Sequence, residues 1–207
     1  MNSIVQRAVT FLPLVGALCA NLSFGAELPI GIFSIDGATV GVTTLDEVQQ
    51  TYGKAKAYRV GREDGANVRI CYAHSASTRG SYYLAFESGV MGEFSTITGF
   101  RISTIRPAKN CVSTKVDIGT LETRNGIRLK QTLQDFRSTV PIEFKRRGLE
   151  FTYEAVNKRL ATPEELNKLR ANWPQEKQDY FDVTITIKAK FKGDHLIDFF
   201  VQKIESY

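Results

Sequence analysis

Histidine is almost missing from this chain: His74 and His195 are the only two in 207 residues. Catalysis by a nucleophile–base relay, and most metal sites, need several such groups converging. The chain also lacks an HExxH pair, a GxSxG elbow, a phosphate-cradling glycine loop and a dinucleotide fingerprint. His74 beside Ser75 is the nearest approach to a relay, but serine and threonine gather in loops for turn reasons alone. The carboxylate pair Glu164-Glu165 is explained as dipole-favouring charge in a first helical turn. These absences argue against an enzyme, a bound metal or a cofactor. Basic residues are scattered rather than clustered, which argues against nucleic acid as a partner.

Long apolar runs are scarce as well, and the one that exists lies at the start. Arg7 precedes an apolar stretch, Ala8 to Ala20, and Ser23-Phe24-Gly25 places small residues at −3 and −1 before Ala26. This is the layout of a secretory signal peptide over residues 1–25, too short to span a bilayer. Lipid attachment at Cys19 would want a small residue before it, and Leu18 is not small. The expectation is a periplasmic or secreted protein. No later stretch is long and apolar enough to cross a membrane. Beyond residue 25 only Cys71 and Cys111 remain, with no CxxC spacing and no histidine clustered beside them. In an oxidising compartment an even pair reads as one disulfide.

What is present is alternation. Phe181, Val183, Ile185, Ile187, Ala189 and Phe191 alternate with polar residues through Lys192, and Gly193-Asp194 supplies a tight turn. A return arm runs from Leu196 to Ile204, so the chain ends in a long β-hairpin. Upstream, Thr44 and Glu47 form a capping box ahead of Leu45, Val48 and Tyr52, and Gly53 is a natural stop. Alternating stretches follow around Val68–Tyr72, Tyr82–Phe86 and Ile97–Ile105. A second helix is expected from Gly126 onward, with Leu129, Leu133 and Phe136 on one face. It parallels Gly41 onward at an offset of 85: Gly41 with Gly126, Val48 with Leu133. Strands at Val140–Phe144 and Leu149–Ala155 should follow it. Thr162-Pro163-Glu164-Glu165 opens a helix inserted near 162–171.

The fold class expected is therefore α+β, two tandem repeats of a short helix packed on an antiparallel sheet. One module would occupy 26–115 and the other 116–207. Gly41-Val-Thr43, Val48 and Gly53, echoed by Gly126 and Leu133, resemble the helix-plus-sheet modules of the β-lactamase inhibitory proteins. The pattern is also similar to the single module of small outer-membrane assembly lipoproteins. The second copy lacks the threonine and the closing glycine, and no clean lipobox is present. The resemblance implies a small exported binding module with a saddle-shaped sheet as its contact surface.

The expected function is thus non-enzymatic: binding another protein, in the envelope or outside the cell, as inhibitor, toxin-immunity or envelope assembly factor. The alternative is a lipid or glycan held in a sheet-lined groove. Tyr82-Tyr83 puts one ring inward and its neighbour, Tyr83, outward, where an amphipathic ring suits partner binding. A two-residue turn at Gly193-Asp194 sets Lys190 opposite Ile197, Lys188 opposite Phe199 and Thr186 opposite Val201 on the outer face. Leu196, Phe200 and Ile204 would then fill the core side. So Lys188, Lys190, Ile197, Phe199 and Val201 form the expected outer surface, covered by the inserted helix, by a second subunit or by the partner.

Overall fold

The computed structural model describes residues 28–61, 67–76, 80–89, 96–107, 110–175 and 177–206. The leader expected over 1–25 lies outside these residues. The first described elements are a 3-10 turn at Ile30–Phe33 and a minimal hairpin, β1 (Ser34–Ile35) and β2 (Ala38–Thr39). Helix α1 (Leu45–Tyr52) starts where Thr44 accepts from the Glu47 amide while Glu47 accepts from the Thr44 amide. Its buried side chains are Leu45, Val48 and Tyr52, and Gly53 ends it at φ 97°. Four antiparallel strands follow: β3 (Tyr58–Val60), β4 (Asn67–Ala76), β5 (Gly80–Ser88) and β6 (Ile97–Ser103). After them β7 (Val112–Ser113) adds briefly, in parallel, to β4.

The second half also runs from a helix into strands, with a further helix between them. Helix α2 (Leu133–Thr139) starts at Thr132, whose hydroxyl accepts from the Asp135 amide, and it buries Phe136. The helix expected from Gly126 onward is therefore corrected, because residues 126–131 are turns. Gly126 and Lys130 both take positive φ, and the Gln131 side chain accepts from the Arg128 amide. Asn125, which could cap a helix there, instead accepts from the Thr123 hydroxyl at 2.7 Å, and the cap that forms is Thr132. The strand expected at Val140–Phe144 is also absent, since Pro141 has no amide to give a ladder. Only β8 (Lys145–Arg147) joins the sheet, followed by β9 (Glu150–Leu160), helix α3 (Pro163–Asn172), β10 (Tyr180–Lys192) and β11 (His195–Ser206).

The strand order β3-β4-β5-β6-β11-β10-β9-β8 makes one antiparallel sheet from two four-stranded meanders. They meet at β6 and β11, where Phe100 faces Val201 and Ile102 faces Phe199. Gly99 stands in this seam for a steric reason: a Cβ there would lie 2.6 Å from the Val201 carbonyl oxygen. Both short helices and the segments before them pack on one side and form one core with the sheet. Aromatic rings run through it without a gap, from Tyr72, Tyr52 and Phe86 to Phe100, Phe199, Phe136, Phe191 and Phe151. Their tilted and edge-on contacts are the geometry aromatic quadrupoles favour.

The terminal hairpin contains the largest departure from expectation. Lys192 faces His195 and Phe191 faces Leu196, but Lys190 then faces Asp198, leaving Ile197 as an extra residue in a β-bulge. One extra residue reverses the face of everything beyond it. Phe199 and Val201, expected outside, are core residues with no exposure, and Phe200 stands outside opposite Lys188. Ile197 is half-buried in the bulge, its carbonyl accepting from the Thr104 amide at 2.8 Å. The cover over Phe199 is α2, through Phe136 at 6.3 Å, and not α3. Helix α3 sits at the other end of the hairpin, where Leu160 faces Tyr180, and buries Leu169 alone.

Two outcomes follow from this packing. Phe199→Ala should lower unfolding free energy by about 3–5 kcal/mol, as truncation of a buried ring does. Phe200→Ala should cost far less, and urea denaturation with the order reversed would contradict the assigned faces. The second concerns alkali. Burial pushes the Tyr72 hydroxyl, which donates to the Gly53 carbonyl at 2.8 Å, up to about 12. Burial and then the bond to Asp36 raise Tyr52 further. A folded-state pKa raised above the unfolded value, about 10, leaves stability intact below pH 10. Stability should fall as pH climbs from 10 towards 12, and Tyr72→Phe should flatten that decline in chemical denaturation.

Candidate functional site

The sheet has a second face, and among the described residues no helix covers it. Strand pairing sets its rows. Ala73, Tyr83, Ser103, Asp198, Lys190 and Glu150 stand side by side across six strands. The next row is Cys71, Ala85, Arg101, Phe200, Lys188 and Thr152, and the next is Arg69, Glu87, Gly99, Gln202, Thr186 and Glu154. Of the residues expected on the outer surface, Tyr83, Lys188 and Lys190 are here, and Phe199 and Val201 are not. Arg101, Asp198, Glu87 and Phe200 were missed.

Their geometry is tightly specified. The Arg101 guanidinium donates to both oxygens of Asp198 at 2.8 Å each, a two-pronged pairing that fixes direction as well as distance. Arg101 also lies 5.9 Å from the centre of the Phe200 ring, within cation–π reach. Glu87 accepts from Arg69 and Asn67 on β4 and from Gln202 on β11, so two strands grip one carboxylate. Both carboxylates are nearly buried, Asp198 at 5% and Glu87 at 4% exposure. Charges so withdrawn are costly unless paired, and both are paired.

A strap crosses part of this face. After β6 the chain turns over the sheet, with the Ile105 amide donating to Ser103 Oγ at 2.8 Å, and reaches the far edge of β4 at Val112. Cys111 is there bonded to Cys71, a side chain of the open face, with 4.4 Å between the two Cα atoms. The expected disulfide is thus present, and Ala85 and Ser103, on the same face, are buried. Beside the strap, Ile105, Arg106 and Pro107 close a cleft of about 270 Å³ with Arg101, Lys188, Lys190, Asp198 and Glu150.

No relay forms around the histidines. The His74 Nδ1–H donates to the Val116 carbonyl at 2.8 Å, the position an orienting aspartate would need, and Asp117 lies 3.9 Å from Nε2. Ser75 pairs with Ser81 at 3.3 Å. His195 Nδ1 donates to the Lys130 carbonyl at 3.0 Å in the hairpin turn region. Among the described residues no three His, Cys, Asp or Glu side chains converge to hold a metal, and no helix is long and apolar enough to cross a membrane. Comparison with protein-family models, with curated proteins and with solved structures finds no match.

The disulfide closes a separation of 40 residues. Loop-closure entropy puts its contribution at about 4 kcal/mol. Reduction with dithiothreitol, or Cys111→Ala, should lower the melting temperature accordingly. Thiol labelling of the denatured, unreduced protein should leave Cys71 and Cys111 untouched; labelling of either would contradict the bond.

Proposed function

We propose that the chain is an exported, non-enzymatic protein-binding module whose contact surface is the open face of the sheet. One observation carries the reading. A face without helical cover presents Tyr83 and Phe200 among Lys188, Lys190 and threonines, over ion pairs already locked in place. Both rings are half-buried, and aromatics partly open to solvent in ordered polar surroundings are what protein interfaces favour. Export rests on the leader read at 1–25 and on a disulfide, which persists in oxidising compartments. The alternative, a lipid or glycan in a groove, gains no support from the cleft at Arg101, whose walls are mostly charged.

The module reads as a duplication, like the tandem helix-plus-sheet units of the β-lactamase inhibitory proteins it resembles. The equivalence differs from the offset of 85 suggested by isolated identities. The two N-caps, Thr44 and Thr132, are 88 apart. At that spacing Leu45 matches Leu133, Glu47 matches Asp135, and core residues Val48 and Tyr52 match Phe136 and Val140. Ile35 and Thr123, also 88 apart, pair with each other in a bridge, as equivalent residues do near a pseudo-twofold axis.

Affinity capture with the intact protein from envelope and secreted fractions tests the reading. A specific protein partner should be recovered, and Phe200→Glu should abolish its capture with the fold unchanged by circular dichroism. Lys188→Glu should weaken capture in a salt-dependent way. Capture indifferent to both substitutions would rule out this face.

A further inference from the structure

The sheet also ends in an open edge. Strand β8 pairs with β9 only at Glu150, Phe151 and Thr152. From Tyr153 to Arg159, among the described residues, β9 is laddered to β10 alone. Its other side presents unpaired backbone donors and acceptors, a template for one more strand. The exposed side chains along that edge decide which strand fits. Facing the open side of the sheet are Glu154, Val156 and Lys158, with Val156 69% exposed.

We infer that two copies of this chain pair edge to edge, β9 against β9 antiparallel, about a twofold axis through Val156. Three independent features agree on that centre. Val156 is the midpoint of the uncovered run Tyr153 to Arg159, so the ladder would end where each β8 begins. Pairing about it sets Glu154 opposite Lys158 of the second copy, twice over by symmetry. It also sets Val156 against Val156, extending the row Ile204, Thr184, Val156 through the axis into the same row of the second copy. Opposite charges and β-branched pairs directly across a ladder stabilise it.

Competing registers fail on the same residues. Opposed side chains must share a face, so the centre can move only by whole residues. Centred on Ala155, the pairing would oppose Glu154 to Val156 and Thr152 to Lys158. Centred on Asn157, it would oppose Val156 to Lys158 and Glu154 to Leu160. Within each copy Lys158 lies over the Tyr180 ring at 3.9 Å and faces Asp182. In the pair it stands between Asp182 and the second copy's Glu154, so charge alternates along the row. Glu154 has no ion-pair partner among the described residues of its own chain. The axis is normal to the sheet, so both open faces look the same way and join into one surface.

Sedimentation equilibrium of the intact, disulfide-bonded protein tests this, with circular dichroism and melting to check each fold. The wild-type chain should approach twice the monomer mass as concentration rises. Glu154→Lys and Lys158→Glu should each weaken association by about tenfold or more, since each creates two like-charged pairs. The double variant carrying both changes should recover it, because the reversed charges again oppose. Val156→Lys, at an exposed position, should give monomer. A wild-type chain monomeric at millimolar concentration overturns the proposal. So does a dimer that ignores the reversals, or a double variant that fails to recover while remaining folded. Partner capture through Phe200 is a separate reading, and its failure would leave these masses unchanged.

Discussion

Everything in this molecule hangs on the seam between β6 and β11. Without it the chain would be two small meanders with their short helices, each with too little core to stand alone. Joined there, Phe100, Ile102, Phe199 and Val201 stack in register, and the aromatic contacts run unbroken from Tyr72 to Phe151. Gly99 is what lets the two strands approach, because any side chain would strike the Val201 carbonyl or Gln202. The same pairing places Arg101 beside Asp198, so the seam that builds the core also builds the centre of the open face.

The bulge at Ile197 decides what that centre contains. Counted without it, Leu196, Asp198 and Phe200 would all point into the core, and Asp198 would lie there with no cation. With it, Asp198 crosses to the open face and meets Arg101, while Phe199 takes the core position under Phe136. A carboxylate unpaired in hydrocarbon costs several kcal/mol, more than one ladder irregularity. The extra residue is thus the cheaper arrangement. Its carbonyl finds donors as well, in Thr104 and Ser103.

The legible parts of the sequence were those set by neighbours along the chain. Thr44 with Glu47, and Thr162 with Glu165, announce helix starts because cap and partner lie three residues apart. Gly193-Asp194 announces its turn, and Cys71 with Cys111 their bond. The illegible parts were those set across the chain. Arg101 and Asp198 are 97 positions apart, and no periodicity links them. Helix α2 was misplaced because apolar spacing at Leu129 and Leu133 imitates a helical face, whereas the cap at Thr132 sets the boundary. The one local clue to the bulge was Asp198 itself, a charge on the face assigned to the core.

The polar centre of the open face is better understood as a positioning device than as a source of stability. Asp198 and Glu87 are nearly as buried as core residues, yet they sit on the side without helices. Withdrawing such charges from water cancels most of what their pairing returns, so well-packed apolar residues would hold the sheet as well. What the pairs supply instead is fixed geometry. Arg101 is clamped by Asp198 and set against the Phe200 ring, and Arg69, Asn67 and Gln202 hold Glu87 from two strands. A ring on such a base has little rotamer freedom left to lose when another surface closes over it. Ordering side chains before contact removes an entropy cost from association.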